Sequence, residues 1–215
     1  MNKELTEMVF ILDRSGSMAG LESDTIGGFN AMVDRQKKEE GKALMSAVLF
    51  SDNSTVIYDR VDIEKVEPMN DRQYQVGGCT ALLDAIGQAI HHIRNVHKYA
   101  REEDRPEKTV FVITTDGMEN ASRGYTYRKV SEMVKEQQEK GWEFLFLGAN
   151  MDAIRTAGSF GIRADRAVTY EADPEGTVLN FEVVSNAIGS VRRRQALDAS
   201  WKAEIEKDHA MRGKK

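Results

Sequence analysis

The sequence predicts a doubly wound α/β domain, in which a mostly parallel sheet carries helices on both faces. Two observations predict this fold class. Apolar runs of strand length alternate with segments whose apolar residues recur at helical spacing, as expected of repeated strand–helix–strand units. The chain has 215 residues, of which 40% are hydrophobic, and this is enough for one domain with a single sizeable core.

Apolar periodicity and turn residues define the elements of the first half. A continuous apolar run ending at Leu12 predicts a strand buried on both faces, and the helical pattern after it is weakened by Gly27 and Gly28. Asp52-Asn53 is a turn pair, so the strand after it is predicted to run antiparallel to the strand before it. The predicted strands span residues 7–12, 42–50 and 54–59, and the predicted helices span residues 21–40 and 82–101.

The second half continues the alternation. Pro106 ends the preceding helix, a β-branched run then predicts the central strand, and Gly141 closes the helix that follows. From Pro174 a long charged helix is predicted to run toward Trp201, with a continuation to Met211 left open. The predicted strands span residues 108–114, 142–147 and 166–170, and the predicted helices span residues 127–140 and 152–160 and start again at 174.

The chain is predicted to divide into one domain over residues 1–190 and a charged C-terminal segment over residues 191–215. That segment is either an extension of the last helix or a tail, and the sequence leaves both open. Its basic run, Arg192-Arg193-Arg194, has acidic neighbours, so we interpret the run as a solvated helix face.

The composition argues against several classes of protein. Lysine and arginine number 30 against 35 acidic residues, a formal net charge of −5, whereas a nucleic-acid binder usually has a basic excess. Cys79 is the only cysteine, so neither an intramolecular disulfide nor a cluster of thiolate ligands is expected. The first residues lack the apolar core of a signal peptide, and no apolar run reaches the length of a membrane span. We therefore expect a cytoplasmic protein that contacts neither nucleic acid nor membrane.

Small oxygen-bearing side chains occur in three predicted loops at the carboxyl edge of the sheet. The loops are Asp13-Arg14-Ser15-Gly16-Ser17, Gly77-Gly78-Cys79-Thr80 and Thr114-Thr115-Asp116-Gly117. Open α/β sheets bind ligands in the crevice at this edge. Carboxylates and hydroxyls without histidine form the donor set that Mg²⁺ or Mn²⁺ accepts. A divalent cation held between the three loops therefore explains why an aspartate and two serines alternate where the first strand ends.

The sequence resembles a von Willebrand factor A-type domain over roughly residues 5–190. The metal-ion-dependent adhesion site of that family is written Asp-x-Ser-x-Ser, then a threonine, then an aspartate, on three loops. The residues of this chain that match the pattern are Asp13, Ser15, Ser17, Thr80 and Asp116. The resemblance implies a Rossmann-like, mostly parallel six-stranded sheet with one short antiparallel edge strand. It points in particular to stand-alone intracellular domains of bacteria and phages.

The resemblance also implies a role for each matching residue. Ser15, Ser17 and Thr80 would bind the metal directly, and Asp13 and Asp116 would act mostly through water. The implied cofactor is Mg²⁺, with Mn²⁺ or Ca²⁺ as substitutes. The implied function is protein recognition without catalysis, in which an acidic residue of a partner takes the open coordination position. Intracellular relatives are associated with AAA+ ATPases or stress-response proteins, so a partner of either kind is expected.

Each loop taken alone also has a purely structural explanation. Asp-x-Ser-x-Ser and Thr80 are both typical of helix N-caps, and Asp116-Gly117 is typical of a turn. The three loops together, in the family's order, favour the metal site. Glu119 and Asn120 lie close enough in sequence to form its rim, or they belong to a solvated loop. Tyr125 and Tyr127 are candidates for contact with a partner.

Two other functions are compatible with the same residues. A metal ion at a sheet edge also suits phosphoryl transfer or hydrolysis, although the sequence has no P-loop pattern and no histidine near the three loops. In the second alternative the metal is only a scaffold, and partners bind elsewhere, for instance on the C-terminal segment. Metal-dependent recognition is the function that the sequence favours.

Overall fold

The computed structural model describes residues 1–212, which form six strands and six helices. The strands are β1 (Asn2–Asp13), β2 (Lys42–Phe50), β3 (Ser54–Asp62), β4 (Pro106–Thr115), β5 (Glu143–Ala149) and β6 (Ala167–Tyr170). The helices are α1 (Glu22–Lys37), α2 (Leu82–Tyr99), α3 (Tyr127–Glu139), α4 (Ala153–Ser159), α5 (Pro174–Arg192) and α6 (Ala203–Arg212). Within residues 1–212, no helix combines the length and the hydropathy that a membrane crossing requires.

All six strands belong to one sheet, with the order β3-β2-β1-β4-β5-β6. Every neighbouring pair is parallel except β2 and β3, which form the antiparallel hairpin predicted at Asp52-Asn53. This is the predicted fold class, a mostly parallel doubly wound sheet. The strand order reverses between β1 and β4, so the crevice between their carboxyl ends is the place where such sheets bind ligands.

The core lies on both faces of the sheet, because successive side chains of a strand point to opposite sides. Phe10 and Leu12 of β1 pack with α1 and α5, whereas Val9 and Ile11 pack with α2, α3 and α4. All four side chains are at most 1% exposed. The continuous apolar run of β1 therefore reflects burial on two faces, as predicted.

Helix α1 continues through the two glycines that weaken its pattern. A Cβ atom added to Gly28 would lie 2.5 Å from the ring of Phe181 on α5. The glycine therefore lets α1 and α5 approach closely, at the cost of lower intrinsic helix propensity.

The basic run at the end of α5 is solvated only in part, because Arg193 and Arg194 are exposed, as predicted, whereas Arg192 is half-buried. The Arg192 guanidinium donates to the main-chain carbonyl oxygens of Gln36 and Gly41, at 2.5 and 2.9 Å. Arg193 forms an ion pair with Glu39 at 2.6 Å. These contacts attach the end of α5 to the connection between α1 and β2.

The prediction of a single long helix after β6 is wrong, because the chain forms two helices, α5 and α6, and reverses direction between them. Arg194 has a left-handed φ of 59°, just beyond the end of α5. The Trp201 indole and the Lys202 ammonium donate to the carbonyl oxygens of Asp165 and Ala167, at 2.8 and 2.7 Å. The segment therefore folds back so that α6 packs against β6. The last three residues of the predicted 191–215 segment lie outside the described residues.

Candidate metal centre

The fold brings the three predicted loops to the switch point of the sheet. Asp13 is the last residue of β1, and Asp116 follows the last residue of β4. β1 and β4 are adjacent and parallel, so both carboxylates leave the sheet at the same edge. Thr80 lies two residues before α2 and is brought to this edge by the long connection after β3.

Three hydroxyl oxygens from two of these loops surround one point beside the third loop. A Cβ atom added to Gly117 would lie 2.9 Å from the Thr80 Oγ1, 3.4 Å from the Ser17 Oγ and 3.8 Å from the Ser15 Oγ. The two serine oxygens are 3.1 Å apart. A side chain at position 117 would occupy this point, so glycine there keeps it open between the three oxygens.

The Asp13 carboxylate is buried at the end of β1, with 1% of the residue exposed. It accepts hydrogen bonds from the Ser15 main-chain N–H at 2.7 Å and from the Thr115 hydroxyl at 2.6 Å. Burial raises the pKa of Asp13 above its ordinary value, the two hydrogen bonds oppose this shift, and the charge of Asp116 adds to it. Within residues 1–212, no basic side chain is among the groups that shift this pKa, so an ionised Asp13 has no compensating positive charge there.

The Asp116 carboxylate is in a similar situation, with 4% of the residue exposed. It accepts a hydrogen bond from the Ser17 hydroxyl at 2.6 Å, which connects the first loop to the third. Burial raises the pKa of Asp116, and the Ser17 hydrogen bond opposes the shift. Two neighbouring carboxylates whose pKa values are both raised favour the binding of a cation between them.

Neither of these carboxylates forms an ion pair with a basic side chain within residues 1–212. In the same part of the chain, no group of three or more histidine, cysteine, aspartate or glutamate side chains could hold a metal ion. The cluster at the switch point has only two carboxylates, and its other oxygens belong to serine and threonine. Such a set of hard, mostly neutral oxygen donors suits Mg²⁺ or Mn²⁺ rather than a thiolate- or imidazole-bound metal.

Main-chain hydrogen bonds hold the first two loops together. The Gly16 N–H donates to the Gly78 carbonyl oxygen at 3.0 Å, and the Gly77 N–H donates to the Arg14 carbonyl oxygen at 2.9 Å. Gly77 and Gly78 have φ angles of 156° and 81°, so Gly78 takes a left-handed conformation that favours glycine. The two glycines that break the chain in the sequence therefore form the joint between the loops.

Asn120 and Glu119, which are candidates for the rim of the site, form hydrogen bonds that brace the second loop. The Asn120 side-chain oxygen accepts from the Thr80 N–H at 2.9 Å, and the Asn120 N–H donates back to the Thr80 carbonyl oxygen at 3.0 Å. The Glu119 carboxylate accepts from the Leu83 N–H at 2.8 Å, in the first turn of α2. Both residues thus fix the position of Thr80 relative to the third loop.

Two residues that hold Asp13 were missed by sequence reasoning. Thr115 donates to its carboxylate, and the Tyr74 hydroxyl donates to its main-chain oxygen at 2.5 Å. Thr115 is adjacent to Asp116, so its position beside the motif was an available signal. Tyr74 lies in the irregular connection between β3 and α2, and nothing in its local sequence indicates that it reaches the end of β1.

The aromatic residues after the third loop differ in their surroundings. Tyr125 packs closely against α2, because a Cβ atom added to Gly87 would lie 2.3 Å from its ring. Tyr127 is 44% exposed and stacks on Phe160, with ring centroids 5.5 Å apart. Of the two, Tyr127 is therefore the residue with surface available to a partner.

The structure brings all five predicted metal ligands into one cluster, and their role as ligands stays a prediction.

Solved structures with the same fold include proteins from very different organisms. Proximal thread matrix protein 1 from the mussel byssus, whose structure has a zinc-occupied MIDAS motif, is 16% identical with a TM-score of 0.58, over 88% of this chain and 47% of that one. The ArnB paralog VWA2 from Sulfolobus acidocaldarius is 18% identical with a TM-score of 0.53, over 87% of this chain and 45% of that one. This chain thus spans about half the length of either protein.

The von Willebrand factor domain of the type V pili tip protein Mfa5 from Porphyromonas gingivalis is matched over almost its whole length. It is 10% identical with a TM-score of 0.60, over 89% of this chain and 97% of that one. Identities this low indicate a common fold only. A comparison with curated protein sequences finds no match.

Family membership follows from the sequence match to a family model. The model of the von Willebrand factor type A domain matches residues 7–177, which run from β1 into the first turn of α5 and contain all three loops of the cluster. The family is one of interaction modules whose metal-ion-dependent adhesion site binds divalent metals. The chain therefore belongs to the von Willebrand factor type A domain family.

Proposed function

We propose that this protein is a magnesium-dependent protein-recognition module. Ser15, Ser17 and Thr80 would hold the ion through their hydroxyl oxygens, and Asp13 and Asp116 would hold it through water or through hydrogen bonds to the direct ligands. A carboxylate from a partner protein would complete the coordination. Mn²⁺ or Ca²⁺ would substitute for Mg²⁺ at a site built from the same oxygen donors.

The observation that carries this proposal is the convergence of three hydroxyl oxygens beside Gly117, next to two buried carboxylates that have no basic partner within residues 1–212. The chemical type of the donor atoms indicates whether the site fits a metal ion. Hydroxyl oxygens are weak acceptors for a protein cation but good ligands for a hard divalent ion. The two carboxylates balance the charge of such an ion, so it retains affinity for one further anionic ligand.

The side chains of this chain would perform three tasks at the site. Asp13 keeps its carboxylate fixed by two hydrogen bonds, from the Ser15 N–H and the Thr115 hydroxyl. Asp116 orients the Ser17 hydroxyl. Asn120 fixes the Thr80 backbone and hence the position of its hydroxyl. When bound, the metal would act as a Lewis acid that attracts the partner's carboxylate.

The partner we propose is a protein with an exposed acidic residue, either an AAA+ ATPase or a stress-response protein. We also propose that the protein works as a stand-alone cytoplasmic domain of bacterial or phage origin. A reducing compartment suits a chain whose single cysteine is exposed and unpaired. We propose recognition rather than catalysis, as in the family's interaction modules.

Calorimetric titration with Mg²⁺, Mn²⁺ and Ca²⁺ tests the proposed metal site directly. Thr80→Val removes one hydroxyl and keeps the shape of the side chain, so we expect Mg²⁺ affinity to fall about 10–100-fold. Thr177→Val is the matched control, because Thr177 is equally buried on α5 and its hydroxyl has no hydrogen-bond partner within residues 1–212. Unchanged Mg²⁺ affinity in Thr80→Val would refute the assignment.

Quantitative capture from a lysate of the source organism, in Mg²⁺ and in EDTA, tests recognition. We expect a partner retained in Mg²⁺ and lost both in EDTA and in Thr80→Val. A partner that binds equally under all conditions would make the metal a scaffold and direct attention to α6. Hydrolysis of p-nitrophenyl phosphate that requires Mg²⁺ and disappears in Asp13→Ala would instead establish a phosphatase.

A further inference from the structure

A cavity lies at the opposite end of the sheet from the candidate metal centre. It has a volume of about 670 Å³ and lies between the C-terminal ends of α2 and α3, at the amino ends of β4 and β5. This volume is within the range of small-molecule sites in proteins. Its lining includes Arg94, Lys98, Arg105, Gln137, Lys140 and Trp142.

The lining is cationic although the whole chain has a net charge of −5. Glu136 is shared by two of the cations, at 3.6 Å from Arg94 and 2.6 Å from Lys140. The other lining carboxylate, Glu107, pairs with Arg194 outside the cavity at 3.3 Å. Positive charge therefore exceeds negative charge within the cavity.

Two of the cations have no carboxylate partner within residues 1–212. The Lys98 ammonium has only the ring of its neighbour Tyr99, 5.3 Å from the centroid. The Arg105 guanidinium donates through one terminal nitrogen to the Ala100 carbonyl oxygen at 3.3 Å, and its buried Nε has no hydrogen-bond partner. A buried guanidinium N–H without an acceptor is unfavourable unless a ligand supplies one.

A third donor without a partner is the amide of Gln137. This residue is 1% exposed, and its Nε2 atom has no hydrogen-bond partner within the described residues. Basic side chains are favourable at the end of a helix by themselves, because they offset the helix dipole. That effect does not explain a buried neutral amide without an acceptor. The Gln137 side chain also helps to lower the pKa of Glu136, after Lys140, so it lies beside the carboxylate that the cations share.

We propose that this cavity binds a small organic phosphate. A phosphate group carries up to two negative charges and several acceptor oxygens, which match the unpaired Lys98 and Arg105 and the amide of Gln137. The partly apolar wall that includes Trp142 would contact the organic part of the ligand. The site is at the amino ends of the strands, so its ligand would not touch the metal centre.

The test is calorimetric titration of the full chain with ADP, inorganic pyrophosphate and citrate, in EDTA. We expect ADP and pyrophosphate to bind without metal, and binding to remain in Thr80→Val. Loss of binding in EDTA or in Thr80→Val would place the phosphate on the metal and overturn the proposal. Citrate binding as tight as pyrophosphate binding would also overturn it, because the cavity would then attract any multivalent anion.

Variants of the lining separate a built site from general electrostatics. Arg105→Gln should weaken pyrophosphate binding about tenfold, and Gln137→Met about fivefold with no change in net charge. Lys38→Gln, an exposed lysine at the end of α1, is the control for lost charge and should leave the affinity within about twofold. Thermal denaturation checks that each variant folds. A folded Gln137→Met with unchanged affinity, or equal losses in Arg105→Gln and Lys38→Gln, would contradict the proposed site.

Discussion

Strand β1 contains two buried carboxylates that the protein treats in opposite ways. Glu7 is 0% exposed and contacts two basic groups, the Arg60 Nε at 2.6 Å and the His97 Nε2 at 2.5 Å. Asp13 is 1% exposed, accepts hydrogen bonds from a hydroxyl and a main-chain N–H, and forms no ion pair within residues 1–212. Both residues lie on one strand, six positions apart, yet only Glu7 has its counter-charge within the described chain.

The difference separates a carboxylate whose counter-charge is internal from one that we propose binds a metal ion. A buried charge is costly unless it is paired. The cost of Glu7 is offset by Arg60 and His97 in the folded chain itself. Asp13 and its neighbour Asp116 accept hydrogen bonds but have no basic partner within residues 1–212, and a divalent cation would supply the counter-charge. Burial alone would not have distinguished the two kinds of carboxylate.

The largest effect is expected when the internal pairing is broken. Glu7→Ala would leave Arg60 and His97 without their acceptor, so we expect the free energy of unfolding to fall by about 3 kcal/mol. Urea denaturation measures this change. Glu182→Ala, which breaks the exposed pair with Arg35, is the control and should cost less than about 1 kcal/mol. Mg²⁺ affinity should stay unchanged in both variants, and a loss of affinity in Glu7→Ala would mean that the two ends of β1 are coupled.

A smaller effect is expected when the point between the three hydroxyls is filled. Gly117→Ala places a Cβ atom 2.9 Å from the Thr80 Oγ1, so the cation should be excluded. The wild-type protein should gain about 2.7 kcal/mol of stability at a Mg²⁺ concentration of 100 times its dissociation constant, and Gly117→Ala should gain almost none. Denaturation with and without Mg²⁺ measures the gain. Gly158→Ala on α4, where a Cβ atom has nothing within 4 Å, should keep the full gain.

The smallest effect concerns the unpaired charge of Asp13. Asparagine can accept from the Ser15 N–H through Oδ1 and donate through Nδ2 to the Thr115 hydroxyl, which can donate to the Gly117 carbonyl oxygen instead. The substitution removes the charge, so metal-free Asp13→Asn should be more stable than the wild type at neutral pH, by about 1 kcal/mol. Burial raises the pKa of Asp13 in the folded protein. The free energy of unfolding of the metal-free wild type therefore falls as the pH rises from 3.8, the ordinary pKa of the group, through the raised pKa.

The pH series of metal-free denaturation curves provides the check on this prediction. Asp13→Asn and wild type should be equally stable at acidic pH, where Asp13 is protonated, and should diverge toward neutral pH. Mg²⁺ should stabilise the wild type and not the variant. If Asp13→Asn is instead less stable at neutral pH, the Asp13 charge is compensated within the protein, and the contrast with Glu7 fails.

Most of the fold could be predicted from local sequence. The apolar run of β1, the turn pair before β3 and the glycine after α3 each mark an element through a short-range physical preference. The end of α5 could not be predicted in this way. Its sequence continues with helix-compatible residues, and the chain turns because Trp201 and Lys202 find acceptors near β6, which lie far away in sequence.

Part of the candidate site was also predictable. Asp13, Ser15, Ser17, Thr80 and Asp116 stand out because three separated loops each combine glycine with small oxygen-bearing side chains. Asn120 was predicted near the site, but its hydrogen bonds to Thr80 depend on how the second and third loops meet. Tyr74 could not be predicted, since its contact with Asp13 spans 61 positions in the chain.

The sequence by itself determined the fold class, the family and which oxygen donors are candidate metal ligands, because periodicity and loop composition are local properties of a chain. Only the tertiary structure decided which buried carboxylates have a counter-charge and which donors lack an acceptor. These are properties of pairs of groups brought together from distant positions. Glu7 with His97 and the cavity beside Gln137 exist only once the strands and helices have packed.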